Sequence, residues 1–293
     1  MHRLLLASSA TLAIASAASA QTVVDTKRTT VVRTSTVKNG GADSVSIVAA
    51  GSVVPTGGTA VTIDSNNAVS NAGTIQVTDS NGASGISAQA GVSASITNTG
   101  KIIIDETYTP IDADKDGDLD GPFAQGSART GIRTAGAFTG NIINSGEITV
   151  EGNDSAGVHL GGPLTGAFSH SGKTNVLGDR SVGVRLAAVT GNVTLGGTIT
   201  ATGHDAVGAR LDGDIGGALV IEGQIGVTGY RSTTAPADPS KLDADDLLQG
   251  GSALVVAGNV AGGSRCRVQP TSWRMSWPMA RRRRSRSARR TGR

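Results

Sequence analysis

Six glycines, Gly73, Gly100, Gly146, Gly172, Gly197 and Gly223, recur along this chain with the same small and β-branched residues behind each of them. The steps between them are 27, 46, 26, 25 and 26 residues, and the long step is one repeat plus an insertion. A period of this size marks a chain that folds by stacking units, because one unit of that length cannot bury its own apolar face. Two and four residues after the glycines stand Ile75 and Val77, Ile102 and Ile104, Ile148 and Val150, Thr174 and Val176, Ile199 and Ala201, and Ile225 and Val227. That alternation is the mark of a short strand with one buried face.

A second column repeats with the same period. It reads Gly85-Ile86-x-Ala88, Gly131-Ile132-x-Thr134, Gly157-Val158-x-Leu160, Gly183-Val184-x-Leu186 and Gly208-Ala209-x-Leu211. A looser third segment, such as Gly140-x-Ile142 or Gly191-x-Val193, precedes each new repeat. The chain is therefore expected to be all-β: a right-handed parallel β-helix of about 26-residue, three-strand rungs with Gly, Asn and Asp at the corners. Composition agrees, since Gly makes up 42 of 293 residues and aromatics only 2%, which suits a thin core of stacked aliphatic side chains.

The domain organisation follows from the ends. Arg3 supplies a basic start, residues 4–15 an apolar run, and Ala18-Ser19-Ala20 a cleavage site, so residues 1–20 read as a signal peptide and the mature chain begins at Gln21. No later stretch approaches about 18 apolar residues, so no transmembrane segment is expected in the mature chain. Residues 21–70 are assigned to an N-terminal cap and first rung. Residues 71–263 are assigned to β-helix repeats with insertions at about 105–128 and 230–248, and residues 264–293 to an Arg-rich tail without ordered structure. The repeats contain no Cys, so disulfides do not hold them.

The formal charge of +3 joins two unlike pieces. Residues 264–293 hold 11 Arg and no acid, whereas residues 21–263 carry 14 Lys and Arg against 23 Asp and Glu, a net of −9. The tail also holds Trp273, Trp277, Cys266, Met275 and Met279. Trp and Met have single codons, and reading residues 273–280 one base upstream, with G at the free positions, returns an acidic, aliphatic peptide like the repeats. The Arg run at residues 281–284 becomes Ala, Thr, Pro or Ser in that frame. The tail is read as the product of a lost frame, the alternative being a genuine basic tail whose Arg281 to Arg284 run and nearby Trp could bind nucleic acid or anionic lipid, and no nucleic-acid partner is argued from the overall charge.

Both insertions leave the same corner, between the first and second strands of a rung, and are expected on one edge of the solenoid three rungs apart, roughly 14 Å at 4.8 Å per rung. The first contains Asp112, Asp114, Asp116, Gly117, Asp118 and Asp120, which match positions 1, 3, 5, 6, 7 and 9 of an EF-hand-type calcium loop. Its carboxylates are the candidate metal ligands and calcium the candidate cofactor. Position 12 is Phe123 where a bidentate Glu belongs, so Asp105 or Glu106 is expected to return the missing carboxylate. A solvated acidic loop is the alternative. The second insertion, with Asp238, Asp243, Asp245 and Asp246 outside any alternating frame, reads as a solvated loop.

No nucleophile elbow, Walker loop, dinucleotide fingerprint or HExxH helix is present, and no catalytic residue is assigned. The histidines beyond Gln21 are His159, His170 and His204. His159 shares an outward column with Arg133, Arg185 and Arg210, a basic stripe suited either to an acidic polysaccharide or to solvent.

The leader, followed by glycine-punctuated repeats of the kind spanning residues 144–158 (NSGEITVEGNDSAGV), resembles the amino-terminal passenger of a Gram-negative autotransporter over roughly residues 1–263. That resemblance implies a non-enzymatic passenger of the adhesin or matrix sort, exported through an outer-membrane barrel carried at the C-terminus of an intact version. It also implies a cell-surface ligand such as a surface polysaccharide. No barrel strands follow the repeats, so the chain reads as a passenger truncated or frameshifted after about Gly263, at the cell surface if intact and in the periplasm as written. An open end would favour aggregation or proteolysis. The alternative is a secreted β-helix polysaccharide lyase or hydrolase.

Overall fold

A computed structural model describes residues 21–113, 115, 119–231, 238, 240, 242 and 244–267. Residues 1–20, where a signal peptide is expected, and residues 268–293 of the tail lie outside them. The described chain winds into a β-solenoid of eight turns, and each turn gives one strand to each of three parallel sheets. Turn one is built from Thr22–Val24, Lys27–Arg28 and Val32–Arg33, turn five from Ile142–Asn144, Glu147–Glu151 and Ala156–Leu160, and turn eight from Leu219–Ile221, Gln224–Thr228 and Leu254–Val256.

The alternation read from the sequence sets the inside of the tube. Ile75, Ile102, Ile148, Thr174, Ile199 and Ile225 stack in register on successive turns of the second sheet, and Val77, Ile104, Val150, Val176, Ala201 and Val227 stack two residues on. Ile102, Ile148 and Ile199 are wholly buried. One turn exposes the edges of its strands above and below; the next turn satisfies those amides and covers the aliphatic row, which is why the unit is stable only in a stack. The repeating glycine has a direct cause: a Cβ on Gly100 or Gly146 would lie 2.2 Å from the carbonyl oxygen of Gly73 or Gly100 on the turn before. At the opposite corner Asp79, Asp154, Arg180 and Asp205 take left-handed φ of 54°, 52°, 54° and 55°, which Asp tolerates better than most residues.

Four features differ from the expectation. Residues 21–70 hold two turns rather than one, the second built from Val45–Ile47, Ser52–Val53 and Thr59–Ile63. Between the third strand of turn one and the first of turn two lies a loop, residues 34–43, closed by a Lys38–Gly41 bridge and packing Val37 against the core. A fourth ladder runs between the third and first sheets through Phe138, Leu164, Val189 and Ile215, all buried. Finally, the stack passes the composition break at Gly263: Ser264–Cys266 pairs with Leu219–Ile221, and the Arg267 amide donates to the Ile221 carbonyl at 2.8 Å. Backbone pairing needs no particular side chain, so the ladder persists where the aliphatic pattern stops. Among the described residues no helix is long and apolar enough to cross a membrane.

Candidate functional site

The two insertions leave the corner between the second and third sheets, from turn four (Lys101–Asp105 to Thr130–Thr134) and turn eight (Gln224–Thr228 to Leu254–Val256). Their roots are therefore four steps apart, about 19 Å at ~4.8 Å per step, one step more than the sequence reading counted. They nevertheless meet. Phe123 of the first stacks on Tyr230 of the second, with ring centroids 4.2 Å apart at 23°, and the Gly121 amide donates to Asp245 Oδ2 at 2.9 Å. A Cβ on Gly121 would lie 2.2 Å from the Tyr230 ring. The Tyr230 hydroxyl donates to Asp179 Oδ2 on turn six at 3.4 Å, and burial, with the Asp179 and Asp245 charges behind it, pushes the phenol up to about 12. Phe123, which stands where the calcium loop lacks its twelfth ligand, is thus a packing anchor.

The base of the first insertion is a buried ion pair. Arg129 Nη1 lies 2.8 Å from Glu106 Oε2, with side chains 2% and 5% exposed. Glu106 also accepts from the Gln125 and Gly126 amides at 2.7 Å each, and Arg129 donates to the Ser80 and Glu151 carbonyls. Such a pair is strongly destabilising to break from one side, because the surviving charge stays buried. Beside it burial, followed by the Asp105 and Glu106 charges, raises the Glu151 carboxyl against the opposing Glu106 amide and Arg129. Asp105 accepts from Thr78 Oγ1 at 2.7 Å and Gln76 Nε2 at 3.1 Å. The expectation that Asp105 or Glu106 completes the calcium loop is therefore corrected: both carboxylates are committed to the base of the insertion.

Of the loop's own acids, Asp112 and Asp120 are described, whereas Asp114, Asp116 and Asp118, with Gly117, lie outside the described residues. The loop is tied at its mouth: the Asp120 amide donates to the Ile111 carbonyl at 3.0 Å, and the Asp120 carboxylate accepts from the Ala113 amide. Among the described residues no group of three or more His, Cys, Asp or Glu is arranged to hold a metal. In the second insertion Asp243 lies outside the described residues, and the others are not all free in solvent as expected. Asp246 is buried against Arg231 Nη1 at 3.2 Å, Asp245 takes the Gly121 amide, and Asp238 accepts from Ser240.

The basic stripe forms as its spacing requires. Arg133, His159, Arg185 and Arg210 occupy the same outward position on turns four to seven of the third sheet. Asp212 bridges Arg185 Nε at 2.8 Å and Arg210 Nε at 2.5 Å. Burial works to raise the Asp212 carboxyl, and the hydrogen bonds and charges of Arg210 and Arg185 outweigh it, so it sits below the usual range. His159 is lowered by burial first and then by the charges of Arg185 and Arg133, with Asp212 opposing.

One row escaped the sequence reading. Asn71, Asn98, Asn144 and His170 form a ladder inside the tube: each Asn Nδ2 donates to the next Asn Oδ1 at 2.7 Å, and Asn144 Nδ2 lies 3.0 Å from His170 Nδ1. His170 Nε2 faces the Thr198 carbonyl at 3.4 Å, so a ring that accepts at Nδ1 and donates at Nε2 is neutral. Burial lowers its pKa, opposed by the Thr198 bond. The signal was available, since each ladder residue stands two before a repeating glycine. No protein-family model, curated protein or solved structure matches this chain.

Proposed function

We propose that this chain is the exported, non-enzymatic solenoid of an autotransporter-type passenger, which acts by presenting surfaces to a ligand at or beyond the cell envelope. What supports the reading is the joining of the two insertions at one corner of the solenoid, where Phe123 of turn four stacks on Tyr230 of turn eight and the Gly121 amide reaches Asp245. Such an elaborated edge on a rigid scaffold is where a solenoid's recognition residues collect. The passenger origin rests on the leader and repeat style alone. Resequencing the locus from the codon for Gly250 onward tests it. An open shifted frame ending in amphipathic barrel strands is the expected outcome, and prompt closure of that frame, with the printed stop confirmed, overturns it.

Calcium at the first insertion belongs to the same reading, with Asp112, Asp114, Asp116, Asp118 and Asp120 as oxygen donors of the weak extracellular class, Kd about 10⁻⁴–10⁻³ M. Calorimetry with millimolar calcium is expected to give heat, and its absence removes the metal. Incubation with pectate and alginate is expected to yield no new unsaturated ends; their appearance would favour a polysaccharide lyase instead.

A further inference from the structure

The stripe on the third sheet sets basic side chains in line along the tube. Parallel in-register pairing holds Arg133, His159, Arg185 and Arg210 directly over one another at about 4.8 Å per turn, so its arginines span about 14 Å of the tube. Like charges facing each other across strands are destabilising. The lysine row of the second sheet avoids this, since Glu147 stands between Lys101 and Lys173 at 3.8 and 3.5 Å. Among the described residues the one acid in ion-pair contact with the row is Asp212, shared by Arg185 and Arg210. Arg133 Nε is shielded from solvent and has no hydrogen-bond partner.

We propose that this row is a binding surface for an acidic polysaccharide lying along the solenoid axis, its carboxylates against Arg133, Arg185 and Arg210 and its hydroxyls against His159. A uronate polymer offers spaced carboxylates with hydroxyls between them, which matches guanidinium forks separated by an imidazole. The outward positions on this face, continuing N-terminally to Ser87 and Thr62, carry no aromatic ring on which a nucleobase could stack. The inference rests on the reading of the chain as a surface-binding solenoid, and it names the ligand class and the surface.

The test is thermal unfolding of the full chain with and without polygalacturonate at low salt. The Arg-rich sequence from residue 264 onward is the same in every variant, so differences among the variants isolate the row, and the shift reports ligand bound preferentially to the folded state. The midpoint is expected to rise by several degrees, to lose that rise in Arg133→Ser/Arg185→Ser/Arg210→Ser, and to keep it in Lys101→Ser/Lys173→Ser. Arg133→Ser/His159→Ser, which leaves the Asp212 partners in place, is expected to reduce the rise by about half, and triple replacement by Lys to retain most of it. Lowering the pH below 6.5 is expected to enlarge the rise, as His159 gains a proton against the repulsion of Arg133 and Arg185 and with the help of Asp212 and the bound carboxylates. No rise, an equal rise in the triple Ser variant, or a larger rise with duplex DNA or phosphatidylserine vesicles overturns the proposal. A rise accompanied by new unsaturated ends leaves the surface standing and overturns the non-enzymatic reading instead.

Discussion

Two rows of charge run along neighbouring sheets of the same tube under opposite rules. On the second sheet Lys101, Glu147 and Lys173 alternate in sign from turn to turn, so each charge meets its opposite. On the third, three arginines and a histidine follow one another, with one aspartate beside them. Sheet geometry is common to both, so the difference lies in the side chains. A row that neutralises itself keeps the fold soluble and adds little stability, about 0–1 kcal/mol for exposed pairs of this kind. A row that repels itself asks for a counter-charge from outside.

The largest expected effect removes the scaffold under the second kind of row. A Cβ at Gly157, beside His159, would meet Thr174 Cγ2 at 2.3 Å and the Gly183 carbonyl at 2.5 Å. Gly157→Val is expected to cost about 3 kcal/mol, the upper end of overpacking penalties, and urea unfolding would register it as a lower midpoint.

Next comes the interior ladder, a control in which burial acts without neighbouring charge. His170→Leu matches Leu195 on the following turn but leaves Asn144 Nδ2 without its acceptor, at a cost of about 1–3 kcal/mol at neutral pH. It also alters the acid limb. Both His159 and His170 are held below 6.5, so the unfolded chain binds more protons than the folded chain below that value. Stability is complete above it and falls as pH drops. The His170 part of that loss should be insensitive to salt and vanish in His170→Leu, whereas the His159 part should shrink in high salt. An acid limb of identical shape in low and high salt would remove the distinction between the two histidines.

The smallest change turns the orderly row into the other kind. Glu147→Lys places three lysines in line and is expected to lower stability by about 1 kcal/mol at low salt, recovered near 1 M salt where the screening length is about 3 Å. Loss of the same size at both ionic strengths would mean that packing, not charge, set the effect.

Most of the fold was legible because period-2 burial and the glycine step are local: Ile148 and Val150 point inward for reasons visible in five residues. The fourth ladder was not, since Phe138, Leu164, Val189 and Ile215 contribute one buried residue per turn and make no alternation of their own. The Asn71–Asn98–Asn144–His170 ladder was hidden differently, its polar residues occupying positions where Leu195 and Ile221 stand on later turns. At the candidate site the stripe followed from register alone. The fate of Glu106 did not, because its partner Arg129 lies across the whole insertion, and neither did the contact of Phe123 with Tyr230, which joins turns four steps apart.

That the third-sheet row carries more positive charge than Asp212 offsets is best checked by NMR titration of the His159 imidazole in the full chain. The expected midpoint lies below 6.5 and moves toward 6.5 in Arg185→Ser and in high salt. A midpoint at or above 6.5 in the unmodified chain would contradict it.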